Sequence, residues 1–396
     1  MLYYVVTDTT HMKIAMIGQK GIPTRFGGVE RHVESLAVRL GRMGHEVTVY
    51  TRTWYAPAQY DFAPGVRTVA TPSWHTKHLD AITHTFTSTV HALLDGAEVI
   101  HYHGVGPSLL AWIPRLLSPR VTVISTFHSI DRKHQKWGPL ARLALAFGER
   151  AACRLPHATV TISRGLRAYC FDRYSCDSRY IPNGVDAPVG GGGTGVLVRL
   201  GLEPNRYLVT NGRLIRLKGI HYLVTAFLRL KARGAAGGMK LAIIGDSSYS
   251  DDYVAELKSL ADGDADIVFA GFRDGRELQE LLAHAYAAAH PSETEGLSLA
   301  VLEEMAHGKT VLASDIPGNV EALGGCGLTF RNKDVSDLET KLEALIANPD
   351  LAAETGIAAR ERSLATYAWD GIAAETDRLY RETALDHRAV EPAKAA

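Results

Sequence analysis

Residues 293–304 read "ETEGLSLAVLEE", and two of the acids, Glu295 and Glu303, stand eight positions apart around a Gly-Leu-Ser turn. The preceding "AYAAAHPS" has the character of a buried segment. The following "MAHGKTVLASDIPGNVEAL" reads as helix end, Gly stop, short apolar strand and Pro-Gly loop. Glu295 is therefore expected in the loop that opens a helix, and Glu303 two turns inside it. At 100° and 1.5 Å per residue the two lie about 80° apart around the axis and about 12 Å along it. That is too wide for acid–base work on one bond, but it suits two hydroxyl-bearing ends of one extended ligand. A carboxylate near a helix start can also serve only the helix dipole, worth roughly 0.3–1 kcal/mol.

The same strand–loop–helix rhythm runs through the chain. "KIAMIG", "EVTVYT", "GVRTVAT", "AEVIHYHG", "VTVISTFHS" and "ATVTIS" are short apolar strands, with helical stretches between most of them. After "YIPNGVDAPVGGGGTG" the rhythm restarts with "RYLVTNGRL", "MKLAIIGD", "ADIVFAGF" and "KTVLAS". Such alternation predicts an α/β protein with two doubly wound parallel sheets. The expected domains are 12–188 and 196–365, joined by the glycine-dense tract Gly190–Gly195, with a helix in 366–385 crossing back to the first. Residues 1–11 precede the natural first strand and are set aside as an appendage.

Composition narrows the class. The 396 residues are 46% hydrophobic and 22% charged, ordinary for a globular protein, and no apolar run is long enough to span a membrane. No secretory leader is recognisable, and Cys153, Cys170, Cys176 and Cys326 show no CxxC spacing, so a reduced cytoplasmic setting is expected. His101-Tyr-His103 puts two imidazoles on one face of a strand; with no third ligand near in sequence, no metal site is expected. The net charge of zero divides into 21 basic against 13 acidic residues over 1–190 and 22 against 30 over the remainder. Opposed halves suit two domains with different partners.

In open parallel sheets, ligands bind beyond the carboxyl ends of the strands. Gly27 and Gly28, His103, His128, Arg213 and Glu295 all follow strands. In "NGRLIRLKG", Arg213 and Lys218 flank a strand-to-helix loop. Two cations beside a helix start suit a diphosphate, the guanidinium forking two oxygens and the ammonium acting as a point charge. In isolation they also read as solvated surface charge. A sugar–diphosphate–ribose ligand accounts for acids at both ends and cations between.

"GRLIRLKG" together with "HPSETEGLSLAVLEEMAHGKTVLASDIPGNVE" resembles the donor half of the retaining glycosyltransferases of family 4, which have the GT-B fold of two facing Rossmann-like domains. The signature of Glu, seven residues, Glu falls on Glu295 and Glu303. "GIPTRFGGVERHVESLA", "STFHS" and "IPNGVD" extend the resemblance over nearly the whole chain from Met12. It implies that Arg213 and Lys218 neutralise a nucleoside diphosphate, that Glu303 holds ribose hydroxyls, and that Glu295 holds the transferred sugar with the amides of Gly296, Leu297 and Ser298. Phe272 and Arg273 match the segment lining the base. His128 matches a histidine beside the reacting sugar, and Gly27-Gly28 a loop near phosphate and acceptor, with His103 on the acceptor side. The chain departs from the family in Gly296-Leu297-Ser298, where Gly-Phe-Gly is frequent, and in "IPGNVE" around Glu321, where Gly-Gly precedes the acid; donor-sugar selectivity is the property these touch.

"GQKGIPTRFGGVERHVE" and "STFHSIDRKHQKWG" resemble bacterial rhamnosyltransferase-like enzymes of cell-surface polysaccharide assembly. The expected activity is transfer of a hexosyl unit, with rhamnosyl the leading candidate, from a nucleotide sugar to a glycan or lipid-linked acceptor. No cofactor, metal or nucleic-acid partner is expected. Residues 132–154 hold six Arg or Lys and one acid, interleaved with Trp137, Leu140, Leu143, Leu145 and Phe147. This stretch fits either a helix resting on an anionic leaflet or an ordinary basic surface helix. A nucleotide-sugar epimerase on the same fold and a non-catalytic sugar-nucleotide binder are the rival readings. A nicotinamide dehydrogenase is disfavoured, because "GQKGIPTRFGG" lacks GxGxxG spacing.

Overall fold

Runs such as "KIAMI" and "KLAII" are too uniformly apolar for strands with one wet face, and both become inner strands of parallel sheets. The computed structural model describes residues 11–24, 27–56, 59–76, 79–133, 138–190, 192–247 and 250–390. Two compact units emerge: one runs to Pro182 and resumes at Trp369, the other is Asn183–Ala368.

The first unit contains β1 (Lys13–Ile17), α1 (Gly28–Arg42), β2 (Glu46–Arg52), β3 (Tyr60–Ala63), β4 (Val66–Thr71), α2 (Asp80–Leu94) and β5 (Val99–His103). It continues with α3 (Trp112–Leu117), β6 (Thr122–Phe127), α4 (Pro139–Arg154), β7 (Ala158–Thr161), α5 (Arg164–Tyr174) and β8 (Arg179–Tyr180). The sheet order is β3-β4-β2-β1-β5-β6-β7-β8, parallel except for β3, which folds back on β4 as an antiparallel edge that the strand–helix rhythm does not announce. From β1 to β2 the chain steps toward the β3 edge; from β4 onward it steps the other way. Right-handed crossovers therefore put α1 on one face of the sheet and α2 to α5 on the other.

The second unit contains α6 (Gly195–Leu200), β9 (Tyr207–Asn211), α7 (Ile220–Ala232), β10 (Lys240–Ile244), α8 (Asp251–Ala261), β11 (Ile267–Gly271), α9 (Gly275–His284) and β12 (Ala287–His290). It ends with α10 (Leu299–Ala306), β13 (Thr310–Ser314), α11 (Pro317–Leu323), β14 (Leu328–Phe330), α12 (Val335–Ala347) and α13 (Pro349–Thr366). Its all-parallel order is β11-β10-β9-β12-β13-β14. Helical spacing makes one stripe of Leu223, Phe227 and Leu230 on α7 and another of Leu338, Leu342 and Leu345 on α12. Both stripes are fully buried in one core, at about 2 kcal/mol for each large side chain.

Both domain boundaries differ from the expected ones. The change of unit falls at Pro182–Asn183, upstream of the glycine tract, because the Asn183 amide donates to the Leu297 carbonyl at 2.8 Å and the Val185 N–H to that of Tyr367 at 2.7 Å. These bonds tie "NGV" to the second unit before the glycine-dense tract is reached. The return helix α14 (Trp369–Val390) starts later than 366 and runs past 385. In the first unit Tyr380 of α14 is fully buried and bonds His101 at 2.7 Å, while Asp377 bonds His45 at 2.9 Å. No described helix is long and apolar enough to cross a membrane.

Candidate active site

In the second unit two loops leave the carboxyl ends of neighbouring strands, 212–219 after β9 and 291–298 after β12. Glu293 N–H donates to the Leu217 carbonyl at 2.8 Å, which draws the loops together. At that junction Lys218 Nζ meets Glu295 Oε1 at 2.5 Å, with both side chains largely sheltered. Burial pushes the Glu295 carboxyl up, but the Lys218 ammonium and a bond from Ser292 outweigh it and carry the group below its usual value. Lys218 is thus already engaged by the acid expected to hold the sugar. Arg213 is exposed, and among the described residues no carboxylate pairs with it.

Gly219 makes this approach feasible. Its φ is +64°, and an added Cβ would lie 2.0 Å from the Pro291 carbonyl oxygen. Gly219→Ala is expected to cost at least ~2 kcal/mol of stability and to part the two loops. Thermal denaturation checks it; a melting temperature equal to that of the parent protein would contradict the close approach.

Glu303 is the fifth residue of α10, a little over one turn in rather than two, because the helix begins only at Leu299 behind the capping Ser298. Glu295 is not on the helix, so the 12 Å axial spacing does not apply. Leu297 and Ser298 are buried, leaving their main chain beside Gly296 for any ligand contact. Phe272 is part-exposed after β11, and Arg273 is turned onto its own unit, bonding the Ala270 carbonyl and Glu277 at 2.8 Å each. Its guanidinium is occupied, and the main chain is what remains to meet a base. Of the first amides of α7, that of His221 already donates to the Tyr253 hydroxyl at 3.2 Å.

Sequence reasoning missed the support beneath the loop. His290, at the end of β12, bonds Glu304 at 2.5 Å, and both are buried; the second Glu304 oxygen has no partner among the described residues. Burial pushes the Glu304 carboxyl up, against the pull of His290. The adjacent acids at 303–304 were the available signal, since a solvated helix face rarely carries a fully buried second glutamate.

In the first unit, His103 and His128 end β5 and follow β6, and His103 Nδ1 lies 3.3 Å from His128 Nε2. The absence of a third imidazole expected from sequence is corrected here. His32 of α1 brings a ring nitrogen to within 4.8 Å of both others, because β1 and β5 are neighbours and α1 crosses the same face. His101 instead points to Thr126 and Tyr380 and is structural. Burial, reinforced by neighbouring imidazoles, drives His103 and His128 far below the ordinary histidine range and His101 to about 3. Neutral, closely spaced imidazoles can accept and donate hydrogen bonds to sugar hydroxyls without carrying charge. Gly27, with φ +102°, turns the chain into Gly28 at the start of α1. Glu30 accepts from the Lys20 N–H at 3.1 Å and Glu34 from the Thr24 N–H at 2.5 Å, anchoring the loop ahead of it.

These imidazoles carry a pH dependence. Their folded values lie below the unfolded value of about 6.5, so each contributes stability above that value and loses it as pH falls toward the folded value. Between pH 6.5 and 4 the fold is expected to weaken by up to ~1.4 kcal/mol per pH unit for each such histidine. Denaturant titrations at pH 7 and pH 5 check this; unchanged stability would mean that the cluster is solvated.

The comparisons with known proteins follow the same division. Residues 26–188 match the family described as Glycosyltransferase Family 4, and residues 205–348 match Glycosyl transferases group 1. The chain is a GT-B glycosyltransferase. This glycosyltransferase is 26% identical to a glycogen synthase of Mycobacterium tuberculosis, over 96% of its own length and 97% of the relative's. It is 29% identical to a GDP-mannose-dependent alpha-(1-6)-phosphatidylinositol monomannoside mannosyltransferase of Mycolicibacterium smegmatis, over 88% and 93% of the two chains. Among solved structures, a sucrose-phosphate synthase of Thermosynechococcus elongatus superposes with TM-score 0.82 at 22% identity, covering 94% and 99% of the chains. Anabaena HepE in complex with UDP-glucose superposes with TM-score 0.78 at 18% identity, covering 94% and 100%.

Proposed function

We propose that the glycosyltransferase is a retaining, metal-independent hexosyltransferase using a nucleoside-diphosphate sugar. The observation that carries the reading is the Lys218–Glu295 contact at the strand ends of the second unit, with Arg213, which no carboxylate among the described residues pairs, in the same loop. A cation for phosphate and an acid for sugar hydroxyls stand side by side, as the anomeric carbon–oxygen bond of a sugar diphosphate requires. That bond breaks toward the diphosphate, whose growing charge Arg213 and Lys218 stabilise. The acceptor oxygen bonds to the anomeric carbon on the same face, and its proton passes to the departing phosphate oxygen. Glu303 holds the ribose. On the first unit, His128 orients the sugar, while His103, Gly27 and Gly28 serve the acceptor side.

The acceptor is a cell-surface glycan or a lipid-linked saccharide, and rhamnose is the favoured sugar because of the first unit's resemblance. The similarity to an enzyme whose name specifies a phosphatidylinositol mannoside supports a lipid-linked acceptor and work at a membrane surface. Arg213→Ala is expected to weaken nucleoside-diphosphate binding by roughly 1.5–3 kcal/mol, the range of charge-assisted hydrogen bonds. Calorimetry with the nucleotide alone tests it, and unchanged affinity would sink the diphosphate assignment. Turnover is expected to persist in excess chelator. Loss of turnover restored by magnesium or manganese would overturn metal independence, and restoration by zinc alone would place a cation on His32, His103 and His128.

A further inference from the structure

The helices on one face of the first unit are amphipathic in an unexpected sense. On α2 the side chains turned inward are His84, Thr85, Ser88 and Thr89, and they are held by hydroxyl contacts: Ser88 to Thr71 at 2.7 Å and Thr89 to Tyr102 at 2.9 Å. The side chains turned outward are Phe86, Val90 and Leu94, a stripe at four-residue spacing that ends with Leu94 at 85% exposure. A helix that met only water would carry these two sets the other way round. The next helix on the same face, α3, packs beside α2 and exposes Trp112, Leu116 and Leu117, the last at 71%. Ala92 of α2 and Ala111 at the start of α3 share one buried core with Ile100 and Tyr102, which fixes both helices on that side of the sheet. Leu143 and Phe147 of α4 extend the apolar surface; Trp137 and the Leu140 side chain lie outside the described residues.

Charge decides what covers this face. Of the five acids from 79 to 154, Asp80, Asp95 and Glu149 are paired with Arg52, Arg67 and Arg132, while Glu98 and Asp131 accept from the Lys13 N–H and the Ser129 hydroxyl. Arg115, Arg120, Arg142 and Arg150 are exposed, and among the described residues none has a carboxylate partner. Isolated apolar residues on a surface need no explanation, but a contiguous set does. Apolar side chains that include Trp112, interspersed with guanidiniums that no described carboxylate pairs, complement an anionic lipid leaflet. A second copy of the chain would set these guanidiniums against each other.

We infer that the α2–α3–α4 face is a docking surface for an anionic bilayer, with α2 and α3 as its centre and the exposed side chains of α4 as its margin. The inference rests on the lipid-linked acceptor of the proposed function. The test is co-sedimentation with phosphatidylcholine vesicles, with and without phosphatidylglycerol. The full chain is expected on anionic vesicles only, with binding weakening as salt rises. Phe86→Glu/Leu94→Glu is expected to lower the bound fraction at least tenfold, and Arg115→Ser/Arg120→Ser to lower it severalfold. Leu143→Glu/Phe147→Glu, at the margin, is expected to have the smaller effect of the two apolar pairs. No binding to anionic vesicles, equal binding by Phe86→Glu/Leu94→Glu, or a dimer in light scattering that this variant dissolves would each overturn the inference. Nucleotide calorimetry on the same variants separates the two readings. Lost vesicle binding with intact nucleotide affinity in the parent leaves the active-site reading standing, and the reverse result removes that reading alone.

Discussion

His290→Ala is expected to destabilise the second unit by about 3 kcal/mol, the upper end of the cost of leaving a buried polar group without its hydrogen-bond partner. Glu304 lies wholly inside, with one oxygen on His290 and the other without a partner among the described residues. Without His290 the carboxyl would have to take a proton or draw water into the core, and either event disturbs the start of the 291–298 loop. Replacing both members by apolar residues, as in His290→Leu/Glu304→Leu, is expected to recover most of the loss, because no buried polar group is then left unpaired. Denaturant unfolding of the two single variants and the double variant measures the coupling directly. A loss below about 1 kcal/mol in His290→Ala would mean that water reaches the pair.

Local chemistry was legible in the sequence where one loop carried the signal. Glu295 before a Ser-capped helix, Arg213 and Lys218 in one turn, and His103 and His128 after strands all stand where the strand–loop–helix pattern puts them. Contacts made by the sheet order were not legible. Lys218 and Glu295 are 77 residues apart, and only the pairing of β9 with β12 makes their loops neighbours. His32 reads as one more residue of α1 until β1 is known to lie beside β5. Periodicity could find two stripes on α2, but it could not say which faced the sheet. The rule that apolar goes inward would have chosen wrongly, because Thr71 and Tyr102 offer hydroxyl partners inside. The change of unit at Pro182–Asn183 was not legible for a related reason: glycine density marks flexible backbone, whereas this change is set by what Asn183 and Val185 bond to.

Glu295→Ala is expected to lower kcat by two to three orders of magnitude, roughly the effect of deleting one group that acts on developing charge, while leaving the donor KM within a few fold. Glu303→Ala should do the opposite, because ribose contacts are alike in ground and transition states and their loss appears in KM. The Lys218 contact adds a sharper test. Without a ligand, Glu295 neutralises the Lys218 ammonium at 2.5 Å, so any diphosphate must compete with that carboxylate or share the cation with it. Removing Glu295 frees the ammonium, and a nucleoside diphosphate, which has no sugar to lose, should bind Glu295→Ala severalfold more tightly than the parent. The pH dependence has a definite sign as well. Because the Glu295 carboxyl sits below its usual value, the link holds above the ordinary glutamate range and is lost only as pH falls through the lower folded value. Nucleotide affinity measured across that range should therefore rise at acid pH in the parent and stay flat in Glu295→Ala, after correction for phosphate protonation. If Glu295→Ala binds the nucleotide more weakly and kcat is unchanged, the acid belongs to the loop's own architecture and the sugar is held elsewhere.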